Sequence, residues 1–321
     1  MQAVWSRIAC GLVLSWSFNC FAQYPDRPVR LVVPWPPGGG VDIAARTIQQ
    51  GLTENLRQPV VIDNRGGAGG TIGTAHAAKS PADGYTLLMA SSSTHAVAPS
   101  LYKNLPYDPI RDFAPVSFVE TKPYLLVVHP SMPARNVKEL LAIARASKIK
   151  LTMASAGTGS SNHLVGELFQ LLAGVKFIHV PYKGAAPAGL AVISGECDML
   201  VDQVAPSLPH IRAGKLRALA ITMEKRSPQL PQVMTLRESG ITGGDAIGYT
   251  ALVAPAGTPP AILERINAAV VAVLKSPAIV ERFASQGSNA YPTTPEQVTQ
   301  QLREDLAKWA TVVARAGVKV D

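Results

Sequence analysis

The sequence predicts an α/β fold on three observations. Strand and helix patterns alternate along nearly all of its 321 residues. Three glycine-rich stretches each fall between a strand and a helix. The 47% hydrophobic content excludes wholesale disorder, and no apolar run approaches the roughly 20 residues of a membrane span. The length suffices for two domains of ordinary size.

The elements follow in order. Segments 29–34, 60–63 and 85–90 are β-branched or apolar and read as strands of a first βαβαβ block. Between the first two, Ile43, Ile48 and Leu52 stand among helix formers such as Ala44, Ala45 and Arg46, which predicts a helix. Residues 72–78 predict another. Segments 113–119 and 124–129 read as two further strands. A second block opens with a helix at 137–146 and a strand at 151–154. The next helix carries Leu164, Leu168, Leu171 and Leu172 at i, i+4, i+7 and i+8. A strand at 177–180, a helix near 187–193, a strand at 199–202, a helix near 206–213 and a strand at 216–222 complete the block. Residues 227–244, rich in Pro, Gly and polar side chains, read as a loop. A strand at 247–254 ends at Pro255-Ala256-Gly257-Thr258-Pro259. Thr258 is expected to N-cap the helix at 260–274. Ser276-Pro277 opens a further helix, and residues 295–316 form the last.

The glycine stretches carry the functional signal. Pro34-Trp35-Pro36-Pro37-Gly38-Gly39-Gly40-Val41-Asp42 joins the first strand to the first helix. At such a turn the backbone can approach a ligand closely, and the free N–H groups of the helix point outward with partial positive charge. Asn64-Arg65-Gly66-Gly67-Ala68-Gly69-Gly70-Thr71 repeats the device, as does Ala154-Ser155-Ala156-Gly157-Thr158-Gly159-Ser160-Ser161. Candidate ligand-binding residues on these turns are Trp35, Gly38, Gly39, Gly40, Gly67, Ala68, Gly69, Thr71, Thr158, Gly159, Ser160 and His163. Ser91 and Ser92, at the end of a strand, form a fourth hydroxyl-rich rim. Lys183 is a candidate cationic clamp, and Asp202 a candidate acceptor for a donor on the solute. Asp42 reads as a partner of the helix N-terminus rather than of a ligand. Ser160 or Ser161 is a natural N-cap.

Known catalytic and cofactor patterns are missing. From Gly67 the third position of a dinucleotide fingerprint is Ile72, and from Gly157 it is Asn162. There is no phosphate-binding Lys-Ser pair, no Gly-x-Ser-x-Gly elbow and no His-Glu-x-x-His. His76, His95, His129, His179 and His210 have no metal-ligand partner at useful spacing. The sequence therefore gives no cofactor and no metal site. A serine hydrolase built on Ser160 or Ser92 would lack a recognisable base. The formal charge of +8 would raise the local concentration of anionic solutes. Its basic residues are scattered without aromatic interleaving, which argues against nucleic acid.

The first 22 residues read as a secretory leader, with Arg7 as the basic region, a short apolar run, and Cys20-Phe21-Ala22 as the cleavage site. Cleavage after Ala22 removes Cys10 and Cys20 and leaves Cys197, expected to be a buried small residue. No intramolecular disulfide can then form.

The segment from Tyr24-Pro25-Asp26-Arg27-Pro28-Val29 through Pro36-Pro37-Gly38-Gly39 resembles the start of the Bug-type (TctC-type) extracytoplasmic solute receptors of tripartite tricarboxylate transporters. The similarity continues through Asp63-Asn64-Arg65-Gly66-Gly67-Ala68-Gly69-Gly70, Pro81-Ala82-Asp83-Gly84-Tyr85-Thr86 and Val180-Pro181-Tyr182-Lys183-Gly184. It extends to Pro209-His210-Ile211-Arg212-Ala213-Gly214 and Ala254-Pro255-Ala256-Gly257-Thr258-Pro259. The resemblance implies a two-lobed, periplasmic-binding-protein-like fold with two inter-lobe crossing strands. Residues 23–123 plus 248–321 would form lobe 1 and residues 124–247 lobe 2. It implies a monomeric periplasmic receptor, not an enzyme, that captures a small organic carboxylate and hands it to a membrane permease. Presentation of the solute to a sensor kinase is the alternative the sequence leaves open.

Overall fold

The computed structural model describes residues 24–244 and 246–317, so the expected leader lies outside the described residues. The first lobe begins with β1 (Val29–Val33), α1 (Gly40–Leu56), β2 (Val60–Asn64), α2 (Thr71–Ala78), β3 (Thr86–Ser91) and α3 (Ala98–Leu101). β1 lies between β2 and β3, parallel to both, with Val29 beside Val60 and Arg30 beside Thr86. Both faces of this sheet are covered, which is why the strands are apolar without alternation. Val29, Leu31 and Val33 pack with Ile48 and Leu52 of α1. Val32 points the other way, into a cluster with Ala77 of α2 and Leu88 of β3.

The chain then enters β4 (Phe113–Val128), a single strand of 16 residues where the sequence predicts two. Its first part runs antiparallel to β9 (Ile247–Pro255), as far as Pro123 beside Ile247. From Tyr124 onward it runs antiparallel to β7 (Met199–Gln203) and to β8 (Arg217–Ile221). Pro123 sits where the ladder changes partners, so its missing N–H interrupts neither sheet's continuous pairing, and a proline that reads as a strand break is accommodated.

The second lobe adds α4 (Val137–Ala146), β5 (Thr152–Ser155), α5 (Ser161–Ala173), β6 (Ile178–Pro181), α6 (Ala185–Ile193) and α7 (Val204–Arg212). β5 lies between β6 and β7, parallel to both. Its core joins Met153, Leu164, Phe169 and Met199 on one face and Ala154, Val192, Leu200 and Ile221 on the other. Cys197 is buried here, as expected.

The return through Ala246 and β9 brings the chain back to lobe 1. β9 also pairs antiparallel with β3. α8 (Pro260–Lys275), α9 (Pro277–Ser285), β10 (Asn289–Ala290) and α10 (Pro295–Ala316) follow. Thr258 does not cap α8: its hydroxyl donates to Pro255 O within the preceding turn, and Pro259 precedes the helix without a side-chain cap. α10 is closed by a capping box between Thr294 and Gln297. Its Val298 and Leu302 pack in the lobe 1 core, while Trp309 and Val313 pack with residues of lobe 2. The last helix thus braces both lobes. The result is a two-lobed α/β fold of the periplasmic-binding-protein kind.

Candidate functional site

The turn between β1 and α1 is held from behind. Asp42, in the first turn of α1, accepts hydrogen bonds from Gly38 N, Arg46 Nε and Asn64 Nδ2, each at 2.9 Å. Burial pushes its carboxyl pKa up, but these three donors outweigh that and leave it below the ordinary value. Asn64 also donates to Trp35 O, so the end of β2 fixes the turn's position. Gly38 has φ +85°, a conformation that favours glycine. Gly39 does not need that freedom, since its φ of −80° and ψ of 163° are extended. Gly40 is needed for space instead: a Cβ there would lie 2.7 Å from Cδ of Gln203, a side chain of the other lobe.

The second turn winds through Gly67, Ala68, Gly69 and Gly70, all at positive φ. Tyr102 and Thr71 both donate their hydroxyls to Ala68 O. The strand β3 ends at Ser91 in a π-helical turn, Ser93–Val97. The serines do not cap it; instead Thr94 Oγ1 accepts from Ser91 N.

The third turn faces these across the lobes. Ser160 is the N-cap of α5, its hydroxyl accepting from His163 N at 3.2 Å. The adjacent N–H of Ser161 donates to Ser93 Oγ at 2.7 Å, and the Ser93 and Ser161 hydroxyls bond to each other. A free donor of α5 is therefore satisfied by a residue of lobe 1, which ties the two lobes together. His163 lies behind the turn, stacked on His179 with ring centroids 3.8 Å apart, and its Nδ1 accepts from Gly159 N. Burial, aided by His179, lowers its pKa to about 3, and burial lowers that of His179 to about 4. Both rings are neutral at ordinary pH. Asp202 accepts from Asn162 Nδ2 at 3.0 Å and Ser207 Oγ at 2.8 Å, and burial raises its pKa to about 6.

Between the lobes these elements line a narrow cavity of about 30 Å³. Lobe 1 contributes Trp35, Pro36, Gly39, Gly40, Val41 and Ser91 to Ser93. Lobe 2 contributes Ala156, Ser161, Asn162, Ala185 and Gln203, while Lys122 and Tyr249 enter from β4 and β9 near the crossings. Among the described residues, three buried polar atoms on this wall have no partner: Trp35 Nε1, Gln203 Oε1 and Tyr249 OH. Such atoms are costly to bury unless something satisfies them. Trp35, Pro36 and Ala156 also border a wider outer cleft, with Gly67, Ala68, Gly69, Tyr102, Thr158, Tyr182 and Lys183. Lys183 is exposed on that rim. Another hollow, lined by Arg27, Arg30, His76 and Lys79, lies at the opposite ends of β1 and β3. Two of its cations pair with Asp83 and Asp63, and it shares nothing with the glycine turns.

Residues 44–318 match the model of the tripartite tricarboxylate transporter family receptor. The chain belongs to this receptor family. The protein BugT of Bordetella pertussis is 41% identical over 92% of this chain and 91% of its own. Among solved structures, an R. palustris protein with adipate superposes with TM-score 0.90 at 35% identity, covering 92% of this chain and 99% of the other. MatC from Rhodopseudomonas palustris with bound malate superposes with TM-score 0.86 at 33% identity, covering 90% and 100%.

In this receptor the inner cavity brings together Trp35, Gly39, Gly40, Ser91 and Ser92 of the sequence-predicted set. Gly67, Ala68, Gly69, Thr158 and Lys183 border the outer cleft. Gly38, Thr71, Gly159, Ser160, His163 and Asp202 border neither cavity. Ser160, His163 and Asp202 support the wall through Asn162 and the α5 cap. Sequence reasoning missed Lys122, Gln203 and Tyr249. The available signal was Glu120-x-Lys122, a charged pair on one strand face within an otherwise apolar run.

Proposed function

We propose that this receptor works in the periplasm, captures a small organic carboxylate in the inner cavity, and delivers it to the permease of a tripartite tricarboxylate transporter. It acts as a monomer and without turnover. The observation that carries this reading is the convergence of unpartnered polar atoms and glycine-rich turns on one cavity between two lobes. Carboxylate oxygens are strong acceptors for backbone and hydroxyl donors of this kind, directly or through ordered water. The relatives solved with adipate and malate support the solute class. The chemistry of the wall supports binding rather than hydrolysis: Ser160 Oγ is engaged as a helix cap, and the buried histidine behind it bonds a backbone N–H. The lobes would divide at residues 123/124 and 247/248, with closure about β4 and β9.

A thermal-shift screen of the leaderless chain against mono-, di- and tricarboxylates, followed by calorimetric titration, tests the proposal. A ligand that binds only the folded state raises the melting temperature in proportion to ln(1 + [L]/Kd). At least one carboxylate should bind with one-to-one stoichiometry and remain unchanged after incubation. Consumption of the bound acid would overturn the reading.

A further inference from the structure

The turn that leads into α5 is held from behind by two histidine rings. Ser155, the last residue of β5, accepts from Gly157 N at 3.1 Å and lies 2.7 Å from His179 Nε2. Its hydroxyl proton is free for the ring, so Nε2 serves as an acceptor. His163 Nδ1 accepts from Gly159 N at 3.3 Å. The two rings stack with their planes 11° apart. Each neutral ring thus turns a lone pair toward the segment Gly157-Thr158-Gly159, which has little stiffness of its own. That segment also carries the contact with the other lobe. Leu101 and Tyr102 of lobe 1 pack over Gly159, and Ser161 N reaches Ser93 Oγ.

Little negative charge is available to balance a proton placed here. Glu167 Oε1 lies 3.7 Å from His163 Nε2, but Gln170 Nε2 donates to the same oxygen and Lys176 stands 4.0 Å from the other. Tyr102, the titratable group that lobe 1 brings to the turn, is held in its neutral form by burial. Among the described residues no other ion pair reaches either ring. Burial therefore keeps both rings neutral at ordinary pH.

We propose that the His163–His179 stack is an acid-sensitive latch, which holds the β5–α5 turn against lobe 1 while both rings are neutral and frees it when they take up protons. A proton on His163 Nδ1 would set two donors, the ring and Gly159 N–H, against each other. A proton on His179 Nε2 would meet the Ser155 hydroxyl proton in the same way. With both rings charged, two cations would face each other across 3.8 Å. Swinging the rings out to water relieves each of these conflicts, and the turn then loses its support. Ser161 N no longer bridges to Ser93, and the lobes part. The device goes beyond solute capture and does not depend on which solute the cleft takes.

The test is hydrogen exchange of the leaderless chain, corrected for the intrinsic rate at each pH, with small-angle scattering on the same samples. Between pH 7 and pH 4 the protection of the Gly157, Gly159 and Ser161 amides, measured relative to those of β1, should fall 10-fold or more. The freed rings, near their ordinary pKa of about 6.5, take up protons that the stacked rings resist. The radius of gyration should rise over the same range. The decisive variant is His163→Asn with His179→Gln, whose amide oxygens can accept the same bonds but take up no proton in this range. Its relative protection at pH 4 should stay within 2-fold of that at pH 7. His163→Asn alone keeps the His179 half, so it should lose the acid response at Gly159 and retain it at Gly157, which decides the matter even where the double variant does not fold. Wild-type protein whose turn protection or dimensions stay unchanged at pH 4 overturns the proposal. So does a fall as large as the wild type's in the folded double variant, or at Gly159 in folded His163→Asn.

Discussion

Replacing Gly40 by Ala should weaken solute binding while leaving the unliganded protein as stable as before. The added Cβ would stand 2.7 Å from Cδ of Gln203 and nearer still to its amide oxygen. Carbon atoms prefer about 3.5–4.0 Å, so the Gln203 side chain must retreat by roughly 1 Å or swing away. Gly40 opens α1 in lobe 1, and Gln203 ends β7 in lobe 2. The clash therefore exists only when the lobes are together. Overpacking of this kind costs about 1–3 kcal/mol, and here it falls on the closed, solute-holding form alone. The expected loss of affinity is about 5- to 150-fold. The open form gains at most about 1 kcal/mol from the better helix former. Titration calorimetry and urea unfolding of the same variant separate the two effects. Adding Gln203→Ala removes the obstructing side chain, so the double variant should recover much of the affinity lost by Gly40→Ala. Strictly additive losses, within about 0.5 kcal/mol, would show that the two residues do not meet in the bound state and would refute the reasoning.

Other outcomes follow from the same geometry. Ser160→Ala deletes the cap of α5 and should cost about 1 kcal/mol of stability in urea, with no loss of any solute-consuming activity. Acidification should destabilise the protein. His95, His163 and His179 have pKa values lowered to about 3, 3 and 4, so the stability they contribute is full above about 6.5 and is lost as pH falls toward 4. Asp202, raised to about 6, and Asp305, also raised by burial, act oppositely: their contribution is present near pH 4 and lost as pH rises. With His76 also lowered by burial, the bases outnumber these acids, so stability should fall as the pH drops from about 6 to 4. Urea midpoints that hold steady or rise toward pH 4.5 would contradict this balance. Intact-mass measurement of the exported protein should find an N-terminus at Gln23 or within two residues of it, and retention of Met1 would exclude the leader.

The alternation of elements was legible in the sequence because each strand and helix of both lobes carries its own periodicity and its own turn chemistry. The cap at Ser160 and the bonds of Asp42 to Gly38 and Arg46 were legible for the same reason: each acts within four residues of itself. The continuity of β4 was not, since Pro123 signals a break to any local reading and only the change of partner strand makes it harmless. Gly38 and Gly39 look alike in sequence, yet one needs a positive φ and the other is extended. Lys122, Gln203 and Tyr249 were hidden for a stronger reason. Their meeting depends on the registers of β4 against β7 and β9, which pair residues about 80 to 130 positions apart. No local pattern encodes that. His163 illustrates the reverse error: its position in the first turn of α5 suggests a ligand contact, but the stacking ring of His179 comes from β6 and draws it behind the wall.

The most direct measurement is a titration of the leaderless chain with a panel of small carboxylates, paired with a crystal structure of the tightest complex. The account predicts one bound acid per chain within the cavity between Trp35, Lys122 and Gln203, with a carboxylate oxygen on the backbone of the β1–α1 turn. An acid seated elsewhere on the chain, or no binding by any carboxylate at millimolar concentration, would contradict it.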